Sequence, residues 1–313
     1  MARKKKVTVV GAGHVGATCA QRIVESDLAD VTLIDVVDGL AAGKALDMMQ
    51  SASILGFDAK IEGTNDFKKS RGSDVIVITA GLARKPGMSR DDLLKMNAEI
   101  IKDVVKKTAK LSPDAVLIIV TNPLDVMCAV AKKYSGFPKK RIIGMAGELD
   151  GARFSCFLRE KLDSKKKAVD FKATVLGTHG DAMVPIARLS KVGSKSVDSL
   201  LSSRILNNLI ERTKNGGAEI VELLKTGSAY YAPSAAAFAM VRSIINDSGD
   251  VYCSSVYLEG EYGISDVFCG VPVELGRKGI KKIIELKLDD KETKLLMASS
   301  ETIRKNIEKV KDI

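Results

Sequence analysis

Val7-Thr8-Val9-Val10-Gly11-Ala12-Gly13-His14-Val15-Gly16 passes from a β-rich run through a glycine turn into a helical pattern. The same succession recurs through the first half. The sequence predicts strands at Val7–Val10, Val31–Ile34, Val75–Thr79, Ala115–Val120 and Arg141–Ile143. Their Val/Ile runs lack strict alternation, which fits strands covered on both faces of a parallel sheet. Helical patterns at His14–Ser26, Gly39–Ala52, Arg90–Lys110 and Leu124–Tyr134 separate them. That rhythm predicts an α/β, doubly wound parallel sheet.

The glycine turn is a G-x-G-x-x-G loop, a weak signal by itself. Here it follows a strand, opens a helix, and is followed by an acid, Asp35, at the end of the next strand. Asp35 lies 24 residues past Gly11, near the spacing of a dinucleotide-binding Rossmann-type unit. Gly11 permits the tight turn, Gly13 lets backbone approach a pyrophosphate, and Gly16 lets helix and strand pack closely. The helix N-terminus offers free N–H groups and the positive end of its dipole to phosphates. Asp35 would accept from ribose hydroxyls and repel a 2′-phosphate, so NAD is favoured over NADP. His14 could touch a phosphate or simply fill an exposed loop position.

The second half changes character. Helices are predicted from Glu148 to about Leu162, over Val197–Leu224 with a kink at Gly216-Gly217, over Ser228–Asp247, and from Asp289 to Val310. Strand-like stretches lie at Phe171–Gly177, Met183–Leu189, Val251–Tyr257, Val267–Glu274 and Lys281–Leu286, the last three antiparallel. This is α+β, so residues 1–147 form the NAD-binding unit and residues 148–313 a substrate-binding, catalytic unit, with a cleft between.

The 313 residues are 45% hydrophobic and 28% charged, which excludes a disordered or collagen-like chain. The cleanest apolar run, Ala115–Val120, is far short of a membrane span. No signal-peptide core follows the basic start, so a cytoplasmic location is expected. The net charge of +10 is dispersed, and with 4% aromatics and no Trp there is no stacking platform for nucleic acid. The five cysteines form no C-x-x-C pair and there are two histidines, so reduced thiols are expected rather than a metal site.

Thr178-His179-Gly180-Asp181 places a histidine at a strand end between glycines, where it can project into a cleft and carry a proton near neutral pH. Asp150 and Arg153 share a helix face. The acid could orient the imidazole and the guanidinium could grip a carboxylate, or the two could form an ordinary surface ion pair. Ala80 to Arg90, with three cations among two glycines and a proline, reads as a basic lid over an anionic substrate or as a solvated loop. Thr121-Asn122-Pro123 puts an amide at the same sheet edge, or merely starts a helix.

Taken in order, GAGHVG, ITAGLARKPGMSRDDLLKMN, VTNPLD, GELDGARF and GTHGD resemble the malate branch of the lactate/malate dehydrogenase family, over essentially the whole chain. The resemblance implies that His179 is the proton acceptor and donor with Asp150 its partner. It implies that Arg153 grips the substrate's C1 carboxylate, that Arg90 polarises the carbonyl, and that Asn122 orients substrate and imidazole. Asn97 and the backbone of Val120, Thr121 and Asn122 would contact NAD. Arg84 stands where lactate-specific relatives carry glutamine. An arginine there pairs with the second carboxylate of oxaloacetate and would be left unpaired by pyruvate's methyl group. Lys85 competes for that task. A lactate or other 2-hydroxyacid dehydrogenase is the alternative. The family also implies a homotetramer or homodimer.

Overall fold

A computed structural model describes residues 3–82, 88–162 and 167–313. Val7, Val9, Val75, Val77, Val116 and Ile118 turn to one side of its main sheet. Val10, Ile76, Ile78, Leu117 and Ile119 turn to the other. All are at most 2% exposed, so the unbroken Val/Ile runs are covered on both faces.

The first half contributes β1 (Lys6–Val10), α1 (His14–Glu25), β2 (Asp30–Ile34), α2 (Leu40–Gln50), α3 (Ala52–Leu55) and β3 (Ile61–Thr64). It continues with β4 (Val75–Ile78), α4 (Arg90–Leu111), β5 (Val116–Ile119), α5 (Leu124–Ser135) and β6 (Ile142–Met145). These strands run parallel in the order β3-β2-β1-β4-β5-β6. Val9 stands beside Leu33 on one side and Val77 on the other. The chain order reverses at β1, which opens a crevice above the carboxyl ends of β1 and β4.

β3 is a strand the sequence did not announce. Ile61-Glu62-Gly63-Thr64 holds one large apolar residue and lies at the sheet edge, where a single covered face suffices. Gly63 is required there, since a Cβ would stand 2.0 Å from the Ala41 carbonyl of α2.

The second half contributes α6 (Gly147–Lys161), β7 (Phe171–Lys172), β8 (Val175–Gly177), β9 (Met183–Pro185), β10 (Lys191–Val192) and β11 (Lys195–Ser196). Then come α7 (Ser203–Leu224), α8 (Tyr231–Asn246), β12 (Val251–Glu259), β13 (Ser265–Gly276), β14 (Gly279–Ile283) and α9 (Asp290–Glu308). β12, β13 and β14 are antiparallel. Three expectations need correction. Phe171–Gly177 is two strands, because β7 pairs with β10 in a small separate sheet while β8 joins β13 and β9 in the main one. Met183–Leu189 is a strand only to Pro185, then a 3-10 turn. Val197–Ser199 is likewise a 3-10 turn, and α7 starts after Ser202 and runs through Gly216-Gly217 without interruption.

Ser254 and Ser255 of β12 pair antiparallel with Met145 and Gly144 of β6. The main sheet therefore continues from one half of the chain into the other. α8 packs its Ala236, Ala237, Met240 and Val241 into the same core as α1. A smaller core, with Phe154, Leu158, Phe171, Leu206 and Leu209, joins α6, α7 and the small sheet. Cys19, Cys128 and Cys269 are buried, Cys253 is half-buried and Cys156 is exposed, all as free thiols. Among the described residues, no helix is long and apolar enough to cross a membrane.

Candidate active site

At the carboxyl end of β1 the glycine loop is built as its sequence suggests. Gly11 has φ +105°, and a Cβ there would press against the Thr79 hydroxyl and the Ala80 backbone. A Cβ at Gly16 would stand 1.8 Å from the Gly11 carbonyl. At Gly13, by contrast, nothing lies within 4 Å of where a Cβ would stand, and no side chain caps α1. The space over Gly13 and the uncapped helix end suit a pyrophosphate. Asp35 Oδ2 accepts from the Ala12 N–H at 2.6 Å, and its Oδ1 from the Val37 N–H at 3.0 Å. A carboxylate has further lone pairs for two ribose hydroxyls. These residues fit a bound dinucleotide. Val15 is half-buried in the first turn of α1. His14 is exposed and stacks on Tyr230, ring centroids 4.9 Å apart, across to the start of α8.

Asn97, on α4, is 1% exposed, and its amide is committed to backbone. Its Oδ1 accepts from the Leu82 N–H at 2.7 Å, and its Nδ2 donates to the Asn122 carbonyl at 2.8 Å and to the Leu82 carbonyl at 3.3 Å. It braces two loops at the edge of the crevice. Val120 is half-buried and donates its N–H to the Ile78 carbonyl. Thr121 gives its hydroxyl to the Ala80 carbonyl at 2.6 Å. Asn122 is exposed, and the peptide bond to Pro123 is cis.

His179 lies on the turn between β8 and β9. Gly177 (φ +82°) lets that turn pass Ser299 of α9, whose hydroxyl accepts from the Thr178 N–H at 2.8 Å. The imidazole Nδ1 is 2.8 Å from Asp150 Oδ2, and Arg153 Nη1 is 3.4 Å from Asp150 Oδ1. Side-chain exposure is 1% for Asp150, 13% for Arg153 and 17% for His179, so the alternative of a surface ion pair is excluded. Burial by itself pushes the imidazole down. The charge and hydrogen bond of Asp150 outweigh it, Arg153 opposes, and the net result lies above the ordinary imidazole value.

Arg153 Nε is buried with no hydrogen-bond partner among the described residues, as suits a fork awaiting an anion. Gly216 and Gly217 of α7 clear its path. A Cβ at Gly216 would stand 3.2 Å from Arg153 Cδ, and one at Gly217 3.5 Å from Nη2. The predicted kink is thus a cradle. Arg90 is the exposed first residue of α4, and among the described residues it is not bonded to the His179 group. Arg84 and Lys85, in the middle of the proposed lid, lie outside the described residues.

Sequence reasoning passed over one buried acid. Asp125, in the first turn of α5, accepts from the Thr178 and Ser255 hydroxyls and from the His179 N–H. Its position three residues after Asn122, in an otherwise apolar helix start, was the available signal.

A glycine-loop crevice together with an imidazole and a guanidinium that share one buried carboxylate defines a dinucleotide-dependent dehydrogenase. The lactate/malate dehydrogenase NAD binding domain matches residues 5–144, and the alpha/beta C-terminal domain of the same family matches residues 147–313. The malate dehydrogenase of Methanosarcina mazei is 49% identical over 305 residues, covering 97% of this chain and 99% of its own. The solved malate dehydrogenase from Salinibacter ruber superposes with a TM-score of 0.93 at 44% identity, over 98% of each chain. The lactate dehydrogenase from Cryptosporidium parvum, solved with lactic acid and nicotinamide adenine dinucleotide, gives 0.96 at 36% identity over all of both chains. This chain belongs to the lactate/malate dehydrogenase family.

Proposed function

We propose that this protein is an NAD-dependent malate dehydrogenase, interconverting (S)-malate and oxaloacetate. The observation that carries the reading is the pairing of the His179 imidazole and the Arg153 guanidinium with the buried Asp150 carboxylate, in a chain that also carries the glycine-loop crevice. The relatives named malate dehydrogenase, together with Arg84 in the sequence, favour malate over lactate.

Gly11 to Gly16 and Asp35 would hold NAD, which would supply the acceptor for the hydride leaving the C2 carbon of malate. Asp150 holds the Nδ1 side of the imidazole, so Nε2 is the atom that takes the C2 hydroxyl proton. The developing imidazolium and the Asp150 carboxylate stabilise each other in a site sheltered from water. Arg153 binds the C1 carboxylate, and a two-pronged contact fixes the C2 centre relative to Nε2. Arg84 takes the second carboxylate. Asn122 orients the substrate oxygen, and Arg90 polarises it. In reduction of oxaloacetate, His179 returns its proton to that oxygen.

Self-association into a homodimer or homotetramer is supported by apolar side chains exposed on α2 and α3, Leu46 at 62%, Ile54 at 84% and Leu55 at 56%. Sedimentation of the purified chain tests it. The free thiols favour a reducing, cytoplasmic setting, and the reaction suits the malate step of a tricarboxylic acid cycle.

The direct test of the reading is NADH oxidation by the purified chain on oxaloacetate, beside a His179→Ala variant. Turnover is expected to fall about 10²–10⁴-fold in the variant while NADH still binds. Near-wild-type turnover in the variant would remove His179 from the chemistry.

A further inference from the structure

Asp125 has no role in the mechanism above, yet it is 3% exposed and both of its oxygens are hydrogen-bonded. Its Oδ2 accepts from the Thr178 hydroxyl at 2.5 Å and from the His179 backbone N–H at 3.3 Å. Its Oδ1 accepts from the Ser255 hydroxyl at 2.6 Å. One carboxylate therefore ties three elements together: α5, β12 and the β8–β9 turn. α5 begins at Leu124, two residues after Asn122, so its first turn links the segment that carries the amide to the imidazole turn. Burying a carboxylate is costly even when it is hydrogen-bonded. A neutral group could hold the turn, so the acid points to a task that needs its charge or its acceptor pair.

We propose that Asp125 is the positioning residue for His179, locking the imidazole turn to the helix that follows Asn122 and acting on the imidazole as a second buried carboxylate. This rests on the reading of His179 as the proton carrier. The charged groups facing the imidazole are Asp150 and Arg153 from α6 and Asp125 from α5. The Cys128 and Cys269 thiols near Asp125 are pushed well up by burial and stay neutral around neutral pH. Asp125 is the one further carboxyl acting on His179 besides Asp150 among the described residues; burial pushes its own pKa up, and the Ser255 and Thr178 hydroxyls and the nearby imidazole oppose that by favouring its charged form.

The test compares purified full-length wild type with Asp125→Asn, which keeps shape and removes charge, and Ser255→Ala, which removes one bond and keeps charge. Three readouts are needed: malate kcat and kcat/KM against pH, NADH affinity by fluorescence titration, and Tm. In Asp125→Asn, kcat should fall about 10- to 100-fold with NADH affinity within about twofold. The acidic limb of kcat/KM should move to lower pH, because an anion favouring the imidazolium is gone. Ser255→Ala should lower kcat less and leave the limb in place. Should Asp125→Asn not fold, Thr178→Val, which removes the hydroxyl bound to Oδ2, must lower kcat by itself. Unchanged kcat and an unmoved limb in Asp125→Asn, whatever its Tm, would overturn the proposal alone; so would unchanged kcat in Thr178→Val. A wild type inert toward malate would overturn the underlying reading and this proposal with it.

Discussion

Asp150 divides its buried carboxylate between two partners, with Oδ2 2.8 Å from His179 Nδ1 and Oδ1 3.4 Å from Arg153 Nη1. The groups proposed to carry the proton and to grip a carboxylate are therefore oriented by the same anion. With Asp150 only 1% exposed, that anion depends on both partners for compensation.

The pH dependence follows from this sharing. His179 holds its proton more tightly than an ordinary imidazole, because Asp150 outweighs the burial that would push it down. Malate oxidation needs the neutral ring, so its rate should rise as pH rises through that elevated value; oxaloacetate reduction needs the charged ring and should fall over the same range. Asp150→Asn leaves burial and Arg153 unopposed apart from Asp125. The acidic limb of malate kcat/KM should then move to lower pH, with kcat down about 10²–10⁴-fold. A pH–rate profile with an unmoved limb would dissociate Asp150 from the proton step.

Gly216 gives a prediction at a distance from the chemistry. Its missing Cβ leaves room for the Arg153 side chain. Gly216→Val should push the guanidinium aside and raise KM for oxaloacetate about tenfold or more, with NADH affinity unchanged. Steady-state kinetics with equilibrium NADH binding decides it. An equal loss of both would indicate general damage to α7 instead.

Asp35 receives two backbone N–H groups, from Ala12 and Val37, and is the carboxylate proposed to meet the adenosine ribose. Asp35→Ala removes the repulsion toward a 2′-phosphate. The ratio of kcat/KM for NAD over NADP should fall, with NAD affinity itself reduced as the loop loses its tie. An unaltered ratio would take Asp35 off the ribose.

Arg84→Gln removes the guanidinium assigned to the second carboxylate. Preference should shift from oxaloacetate toward pyruvate, read as the ratio of the two kcat/KM values. An unchanged ratio would transfer that role to Lys85.

The parallel half was legible because its signals are local. Gly11 and Gly16 are needed for contacts within or next to the loop, and double burial shows directly as Val/Ile runs in β4 and β5. β3 was not legible, since an edge strand with Glu62 and Gly63 carries little pattern. The two strands inside 171–177 have partners distant in sequence, so no local period separates them. Among the site residues, His179, Asp150 and Arg153 stood out through their flanking glycines and helical spacing. Asp125 did not, because its meaning lies in Thr178 and Ser255, 53 and 130 positions away. Gly216-Gly217 read as a kink because the side chain they accommodate belongs to another helix.

The decisive measurement is kcat/KM for oxaloacetate against pyruvate, with NADH and the purified full-length chain. With Arg84 proposed to take the second carboxylate, rapid NADH oxidation with oxaloacetate is expected and a preference for it of about 10²-fold or more, as an unpaired guanidinium opposes pyruvate. Equal use of the two keto acids, or a preference for pyruvate, would contradict the account.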